Sequence, residues 1–424
     1  MIPNYKKYLF LALIFFLFLP ILQQFTNYFE VFPLNGVVKD AVGDLPPFKL
    51  DSWKEGSYQS QVENWANQRF GFREDLVRTY NQVNYDLFRK SNLGDMQVGK
   101  EDYLFQGVYY DAYTGKDLVK RELAYSKCKQ IKLIQDSLER AGKVFFLMIC
   151  PSKANFFPEY LPDNIAKTKN IEPNYHQMLE ISKELGIKVL DFNAYFLAQK
   201  NKSPYPLFPK NGIHWSSYGA TLALDSMVHY IESRKGVDLP DIQYEVKMET
   251  ASGDNDLEWG MNLLYPLPTY PLALPDLKIT TENKQKLKTL LISDSFGWFL
   301  YRIDEMDKVF EKFEVWQYYQ ERFLTQTQKS SVNKTNLKSQ VLENDVIILS
   351  ASTINLPRFG WGFLEDMASI YENKAFLPSE IQAIKQAILA NPTWLEQVKL
   401  QAEKSRISLD SALTDNAIYQ LQQK

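Results

Sequence analysis

At 424 residues the chain is long enough for one large α/β domain with appendages, or for two domains. Its 48 lysines and arginines against 51 aspartates and glutamates leave a net charge of −3, so no basic surplus argues for a nucleic-acid partner. Three histidines (His176, His214, His229) and two cysteines (Cys128, Cys150) stand far apart without metal-ligand spacing, which argues against a bound metal; the cysteines either pair or serve as ordinary core residues.

Lys6 and Lys7 precede an unbroken apolar run from Tyr8 to Leu22, which Phe25 and its aromatic neighbours extend. A full membrane span needs roughly 20 such residues, so the run reads as an N-terminal anchor or a signal segment over residues 1–27. No small-residue cleavage pattern follows, which favours a retained anchor. Basic residues before the run, and none after it until Lys39, put the N-terminus in the cytoplasm and the body in the periplasm, held to the inner membrane. Residues 28–116 lead into the core. They contain a linker with Pro33, Gly36, Pro46 and Pro47. Next comes an amphipathic helical pattern over Gln61 to Lys90 (Trp65, Phe72, Leu76, Tyr80, Val83, Leu87), interrupted at Gly71. Val98 to Phe105 reads as a short hairpin.

From residue 117 to 365 the pattern becomes repeated helix–strand units. A helix carrying Cys128, Ile131, Ile134 and Leu138 on one face stops at Gly142, and Val144 to Cys150 follows as a continuously apolar buried strand. Pro173 to Leu185 is a helix closed by Gly186 and followed by a strand, Ile187 to Leu190. Tyr218 to Arg234 is helical, Leu287 to Ile292 a strand, Phe299 to Phe313 a helix, and Val346 to Leu349 a strand. Four buried strands separated by helices imply an α/β fold with a doubly wound, flavodoxin-like, mostly parallel sheet, and ligands at the carboxyl ends of its strands. Residues 237–285, with Pro266, Pro268, Pro271 and Pro275, form an irregular insertion. Residues 366–424 read as a helical C-terminal tail without chemistry of its own.

Two punctuated turns carry the chemistry. In Leu290-Leu291-Ile292-Ser293-Asp294-Ser295-Phe296 an apolar strand runs into a helix, so Ser295 lies at a strand's carboxyl end and a helix N-terminus. Backbone N–H groups there can stabilise an oxyanion if Ser295 attacks an acyl carbon; the alternative is a simple N-cap. Gly212-Ile213-His214-Trp215-Ser216 supplies a histidine placed as general base toward that hydroxyl, or else a capping loop with an aromatic plug. His176 and His229 fall within helical patterns and read as surface or packing residues. Lys153, just past a strand end, could touch an anionic sugar or an oxyanion, or be a solvated loop lysine. Phe296 and Arg322 are further candidate contacts, as is Arg358. No cofactor is implied.

Taken in order, these blocks resemble the SGNH-hydrolase-like O-acetyltransferases of the alginate (AlgX/AlgJ) type. The resemblance rests on Trp65 to Arg73, Val98 to Phe105, Pro151-Ser152-Lys153 with Phe157 to Pro162, His214-Trp215-Ser216 and Asp294-Ser295-Phe296. It implies Ser295 as nucleophile and His214 as base. An acetyl-Ser295 intermediate would pass its acetyl group to a polysaccharide hydroxyl, with acetyl delivered by a separate membrane-bound acyltransferase. Two residues depart from the pattern. The family has Asp two residues before the histidine, where this chain has Gly212, and Ser293 replaces the glycine of Gly-Asp-Ser. The site then runs as a Ser–His dyad, recruits another carboxylate (Asp294 or Asp191), or binds polysaccharide without catalysis. Hydrolysis of acetyl esters, with water as acceptor, is the other reaction open to the same pair.

Overall fold

The computed structural model describes residues 4–36, 44–168, 171–250, 253–301, 303, 305–324, 327–372, 376–405 and 407–422; Lys39, on which the topology expectation leans, lies outside them. The chain divides into two compact units. One comprises residues 1–107, 210–213 and 255–270, the other 108–209, 214–254 and 271–424.

In the first unit the apolar run lies within a 23-residue helix, Asn4–Thr26, whose stretch Tyr5–Thr26 is long and apolar enough to cross a membrane by length and composition. Its Tyr8, Phe10, Phe16 and Leu17 side chains are exposed. Helices Ser57–Arg69 and Arg73–Phe88 flank Gly71, as the interrupted pattern predicts. A Cβ on Gly71 would fall 2.0 Å from the Pro20 carbonyl oxygen, so only glycine permits that approach. Strands β1 (Met96–Val98) and β2 (Leu104–Gln106) form the expected antiparallel hairpin. A short helix, Asp256–Met261, completes this unit, with Asp256 Oδ1 accepting the Ile213 N–H at 2.8 Å.

The second unit holds β3 (Val144–Cys150), β4 (Val189–Asp191), β5 (Asp241–Glu249), β6 (Leu272–Thr280), β7 (Lys288–Ser293), β8 (Lys312–Gln317), β9 (Glu321–Phe323), β10 (Lys329–Ser331) and β11 (Val346–Ser352). Seven of these make one sheet in the order β10-β9-β8-β7-β11-β3-β4. The five from β8 to β4 are parallel, while β9 and β10 extend the β8 edge antiparallel. Side chains alternate across the sheet. Phe145, Leu147 and Ile149 join one core with Cys128, Ile131, Ile134 and Leu138 of helix Arg121–Arg140 and with Met178 and Ile181 of helix Pro173–Leu185. Phe146 points the other way, its ring 4.8 Å from that of Tyr230 on helix Ser217–Lys235. Helices therefore cover both faces, the doubly wound α/β arrangement expected. Register aligns Ser352 with Cys150 and Leu349 with Ile292, so β11 and β3 end together and β7 ends at Ser293, level with Ser350.

Several elements differ from the expectation. The helix expected over Phe299 to Phe313 is two short ones, Ser295–Tyr301 and Met306–Val309, and Phe313 belongs to β8. The sheet has seven strands rather than four. Within residues 237–285, β5 and β6 pair over nine residues each as an antiparallel ribbon, where an irregular segment was expected. The tail is three helices, Pro378–Ala390, Pro392–Ser405 and Leu409–Gln422, which share a small core of Ile388, Val398, Ala402, Ala412 and Leu413. Helix Phe363–Tyr371 straddles the expected boundary at 366 and packs Met367 into the main core. Both cysteines are free and buried, as core residues.

Candidate active site

Strand β7 ends at Ser293, and helix Ser295–Tyr301 begins immediately after Asp294. The turn is held from two sides. Asp294 is fully buried, and its Oδ1 accepts the Phe296 N–H at 3.0 Å. Its Oδ2 accepts the Ser352 N–H at 2.8 Å, the Ser352 hydroxyl at 2.6 Å and the Asn355 amide at 2.8 Å, which ties the end of β7 to the end of β11. Ser293, the residue standing for glycine in the motif, accepts the Gly297 N–H on its Oγ at 3.1 Å. A Cβ on Gly297 would lie 2.4 Å from that oxygen, so the serine and the glycine are matched. Two of the three leading N–H groups of the helix are consumed internally. The Ser295 N–H is left as the backbone donor beside the Ser295 hydroxyl.

His214 arrives from a different loop. Ser216 caps the following helix by accepting the Gly219 N–H at 3.0 Å, and its own hydroxyl donates to the Pro206 carbonyl at 2.7 Å. Trp215 is buried between Phe192 and Phe196 on one side and Phe296 on the other. Ser217 gives its N–H and its hydroxyl to the buried carboxylate of Asp254, both at 2.7 Å. These contacts aim the imidazole at the end of β7, where His214 Nε2 lies 2.8 Å from Ser295 Oγ. Phe296 meets the ring edge-on at 4.9 Å between centroids, and Phe299 stacks on it at 4.6 Å and 25°. The aromatic cover limits water at the ring while Ser295 itself stays partly exposed. A cavity of about 280 Å³ lined by Ser217, Thr221, Asp254, Asp276, Phe299 and Glu305 opens beside this stack.

The geometry thus brings together Ser295, His214 and Phe296, and it reassigns the other candidates. The Asp294 carboxylate accepts its hydrogen bonds from the turn and from the end of β11 and the loop after it, which makes it an anchor of the Ser295 turn. Asp191 accepts the Tyr175 hydroxyl at 2.8 Å and the Ala194 N–H at 3.0 Å, committed to its own helix cap. Lys153 is not a solvated loop lysine. It begins the short helix Lys153–Phe156 and is completely buried. Arg322 sits on β9 and pairs through Nη2 with Glu314 Oε2 at 3.2 Å. Burial pushes the Glu314 carboxyl up, but hydrogen bonds from Arg322, Lys312 and Trp316 outweigh it and hold it below the usual carboxylate range. Arg322 therefore satisfies a buried charge in the sheet. Arg358 is exposed. Sequence reasoning missed Ser352, Asn355, Asp254 and Phe299; a polar residue immediately past an apolar strand was the available signal for the first two. Among the described residues no cluster of three or more His, Cys, Asp or Glu is arranged to hold a metal ion.

Residues 96–291 match the family described as SGNH hydrolase-like domain, acetyltransferase AlgX. The chain resembles the AlgX/AlgJ-type acetyltransferases. The matched span is under half the chain; it includes His214 and stops short of Ser295. A curated relative, the probable alginate O-acetylase AlgJ of Pseudomonas syringae pv. tomato, is 24% identical over 226 residues, which are 52% of this chain. That alignment spans about half (54%) of the relative's length. Among solved structures, the O-acetyltransferase domain of Pseudomonas putida AlgJ is similar at TM-score 0.41 and 15% identity, covering 65% of this chain and 99% of that one. Pseudomonas aeruginosa AlgX is similar at TM-score 0.42 and 13% identity, covering 66% and 67%.

Proposed function

We propose that this chain is a serine acyltransferase that moves acetyl groups onto hydroxyls of a polysaccharide, with Ser295 as nucleophile and His214 as general base and acid. The observation that carries the reading is the 2.8 Å contact between His214 Nε2 and Ser295 Oγ at the carboxyl end of β7. The likeness of residues 96–291 to AlgX-type acetyltransferases supports the acyl class independently.

In the first half-reaction Ser295 Oγ attacks the acetyl carbonyl of the donor while its proton moves to His214 Nε2. The tetrahedral oxyanion forms against the Ser295 N–H. Collapse breaks the bond to the leaving group, which takes the proton back from His214, and acetyl-Ser295 remains. A sugar hydroxyl then attacks that ester, giving its proton to His214, and Ser295 recovers a proton as the acetylated sugar leaves. The cavity beside Phe299 is the space from which the acceptor approaches. Helix Asn4–Thr26 anchors the chain in the inner membrane with its body in the periplasm, where a membrane-bound acyltransferase hands over acetyl. Neither Asp294 nor Asp191 substitutes for the carboxylate missing at Gly212, so neither takes the third position of a triad.

The test is incubation of the purified protein with p-nitrophenyl acetate, with and without an oligosaccharide acceptor, followed by peptide mass mapping. Acetyl on the Ser295 peptide, lost in His214→Ala, and acetylated oligosaccharide are the expected products. Free acetate as sole product in the presence of acceptor would make the chain an esterase. A protein that binds the glycan and never carries acetyl on Ser295 would be a scaffold.

A further inference from the structure

Glu172 is a buried acid that the chemistry just described does not use. It lies at the N-terminus of helix Pro173–Leu185, only 1% exposed, with its backbone in the left-handed region at φ 48°, ψ 56°. A non-glycine residue there carries strain, which persists only where the surroundings impose it. Its surroundings do so. The Glu172 N–H donates to the Tyr113 carbonyl at 3.1 Å. Oε1 accepts the Thr353 hydroxyl at 3.1 Å, and Oε2 accepts the side-chain amides of Asn155 at 3.2 Å and Asn193 at 3.5 Å. Asn193 in turn accepts the Ser152 N–H at 3.0 Å. Ser152 follows β3, Asn193 follows β4 and Thr353 follows β11, so one carboxylate gathers the carboxyl ends of three strands. Thr353 is bonded in the chain to Ser352, whose N–H and hydroxyl hold Asp294, the residue before the nucleophile.

We propose that Glu172 is a positioning residue for the nucleophile turn, acting through Thr353, Ser352 and Asp294. This rests on the acyl-transfer reading of Ser295. The ionised form is an acceptor only, and it faces donors on every side. A proton on Oε1 reverses the Thr353 bond; one on Oε2 sets a donor against two amide N–H groups. The first reaches the loop that fixes Asp294 directly through Thr353; the second loosens the carboxylate that Thr353 holds. Burial pushes the Glu172 carboxyl up to about 7, against the opposing pull of hydrogen bonds from the Ser152, Thr353, Asn155 and Asn193 side chains. The ionisable groups on the surrounding elements are Tyr113, Lys153, Tyr175, Asp191 and Asp294. Glu172 in turn helps hold the Tyr113 phenol above its ordinary value, after burial, and the Tyr175 phenol above its own, after burial and Asp191.

Glu172→Gln reproduces the protonated state permanently, since its oxygen serves the two amides and its NH2 faces Thr353. The experiment is the pH profile of kcat/KM for p-nitrophenyl acetate in wild type and E172Q, with a thermal melt to confirm folding. In wild type, protonation of Glu172 lowers the rate about tenfold on top of the loss of the base, so the acid limb falls more steeply than one ionisation over about one decade before it settles to a slope of one. E172Q should keep one ionisation, with a slope of one and a plateau lowered about tenfold, a modest case of the misplacement losses seen at active sites. A wild-type acid limb that follows a single ionisation throughout, or profiles that coincide in rate and shape while Ser295 is acetylated in both, overturns the assignment of Glu172 alone. Wild-type protein that never acetylates Ser295 overturns the serine reading and leaves Glu172 nothing to position.

Discussion

Asp294 separates two accounts of the site, and its replacement by asparagine decides between them. The isosteric amide keeps one oxygen. Turned toward β11, that oxygen retains three bonds, from the Ser352 N–H, the Ser352 hydroxyl and the Asn355 amide, which leaves the Phe296 N–H facing an NH2 group. One buried donor without an acceptor costs about 1–3 kcal/mol. For a body of this size each kcal/mol shifts Tm by about 2 °C, so D294N should melt about 2–6 °C lower. Asp294→Ala abandons all four donors and should cost about 4 kcal/mol or more on the same arithmetic. Turnover should fall only about 10- to 100-fold in D294N, because the nucleophile turn loosens while the imidazole keeps its orientation. If Asp294 instead set the tautomer of His214, the amide would cost about 10⁴ in kcat with Tm unchanged. Differential scanning calorimetry beside p-nitrophenyl acetate kinetics reads both quantities. A loss near 10⁴ without a change in Tm refutes the anchoring role.

Ser295→Ala and His214→Ala should each lower acetyl transfer by about three orders of magnitude or more. Both side chains are partly exposed, so melting temperatures should stay within a few degrees of wild type; a collapse of folding in S295A would instead make the serine a cap. Gly297→Ala brings a Cβ within 2.4 Å of Ser293 Oγ and 2.5 Å of Ser293 Cβ, so it should destabilise by about 1–3 kcal/mol, measured as a shift in urea midpoint; an unchanged midpoint would show that the turn yields freely. Glu172 predicts a pH-dependent stability. Its carboxyl is raised from 4.5 to about 7 in the folded state. The stability it adds is therefore present below about pH 4.5 and is lost as pH rises through 7. Relative to E172Q, wild type should lose about 3 kcal/mol across that window; parallel curves would contradict the burial argument.

The parts of this fold legible in the sequence were those whose energetics are local. Val144 to Cys150 and Val346 to Leu349 are uninterrupted apolar runs because both faces of a parallel strand are covered. The Ser295 turn was legible for the same reason, as a polar turn punctuating such a run, and the His214 loop by its glycine, histidine and serines ahead of a helix. What escaped was structure whose polar residues find partners only after folding. Strand β8 reads Lys312-Phe313-Glu314-Val315-Trp316-Gln317, and Glu314 in its middle is an improbable core residue until Lys312 and Arg322 close on it. The β5–β6 ribbon alternates in polarity as a strand should, but Pro275 masked β6; proline is tolerated there because the two-stranded ribbon leaves an edge free. Lys153, Glu172 and Asp294 complete the pattern. Each is a charged residue set just past the end of a core strand or at a helix start, and each is buried. For Glu172 and Asp294 the neighbouring strand ends supply the donors. A charge at that level of a doubly wound sheet is thus satisfied by loops distant in sequence, and the same convergence that hides it from sequence reading holds Ser295 in line with His214.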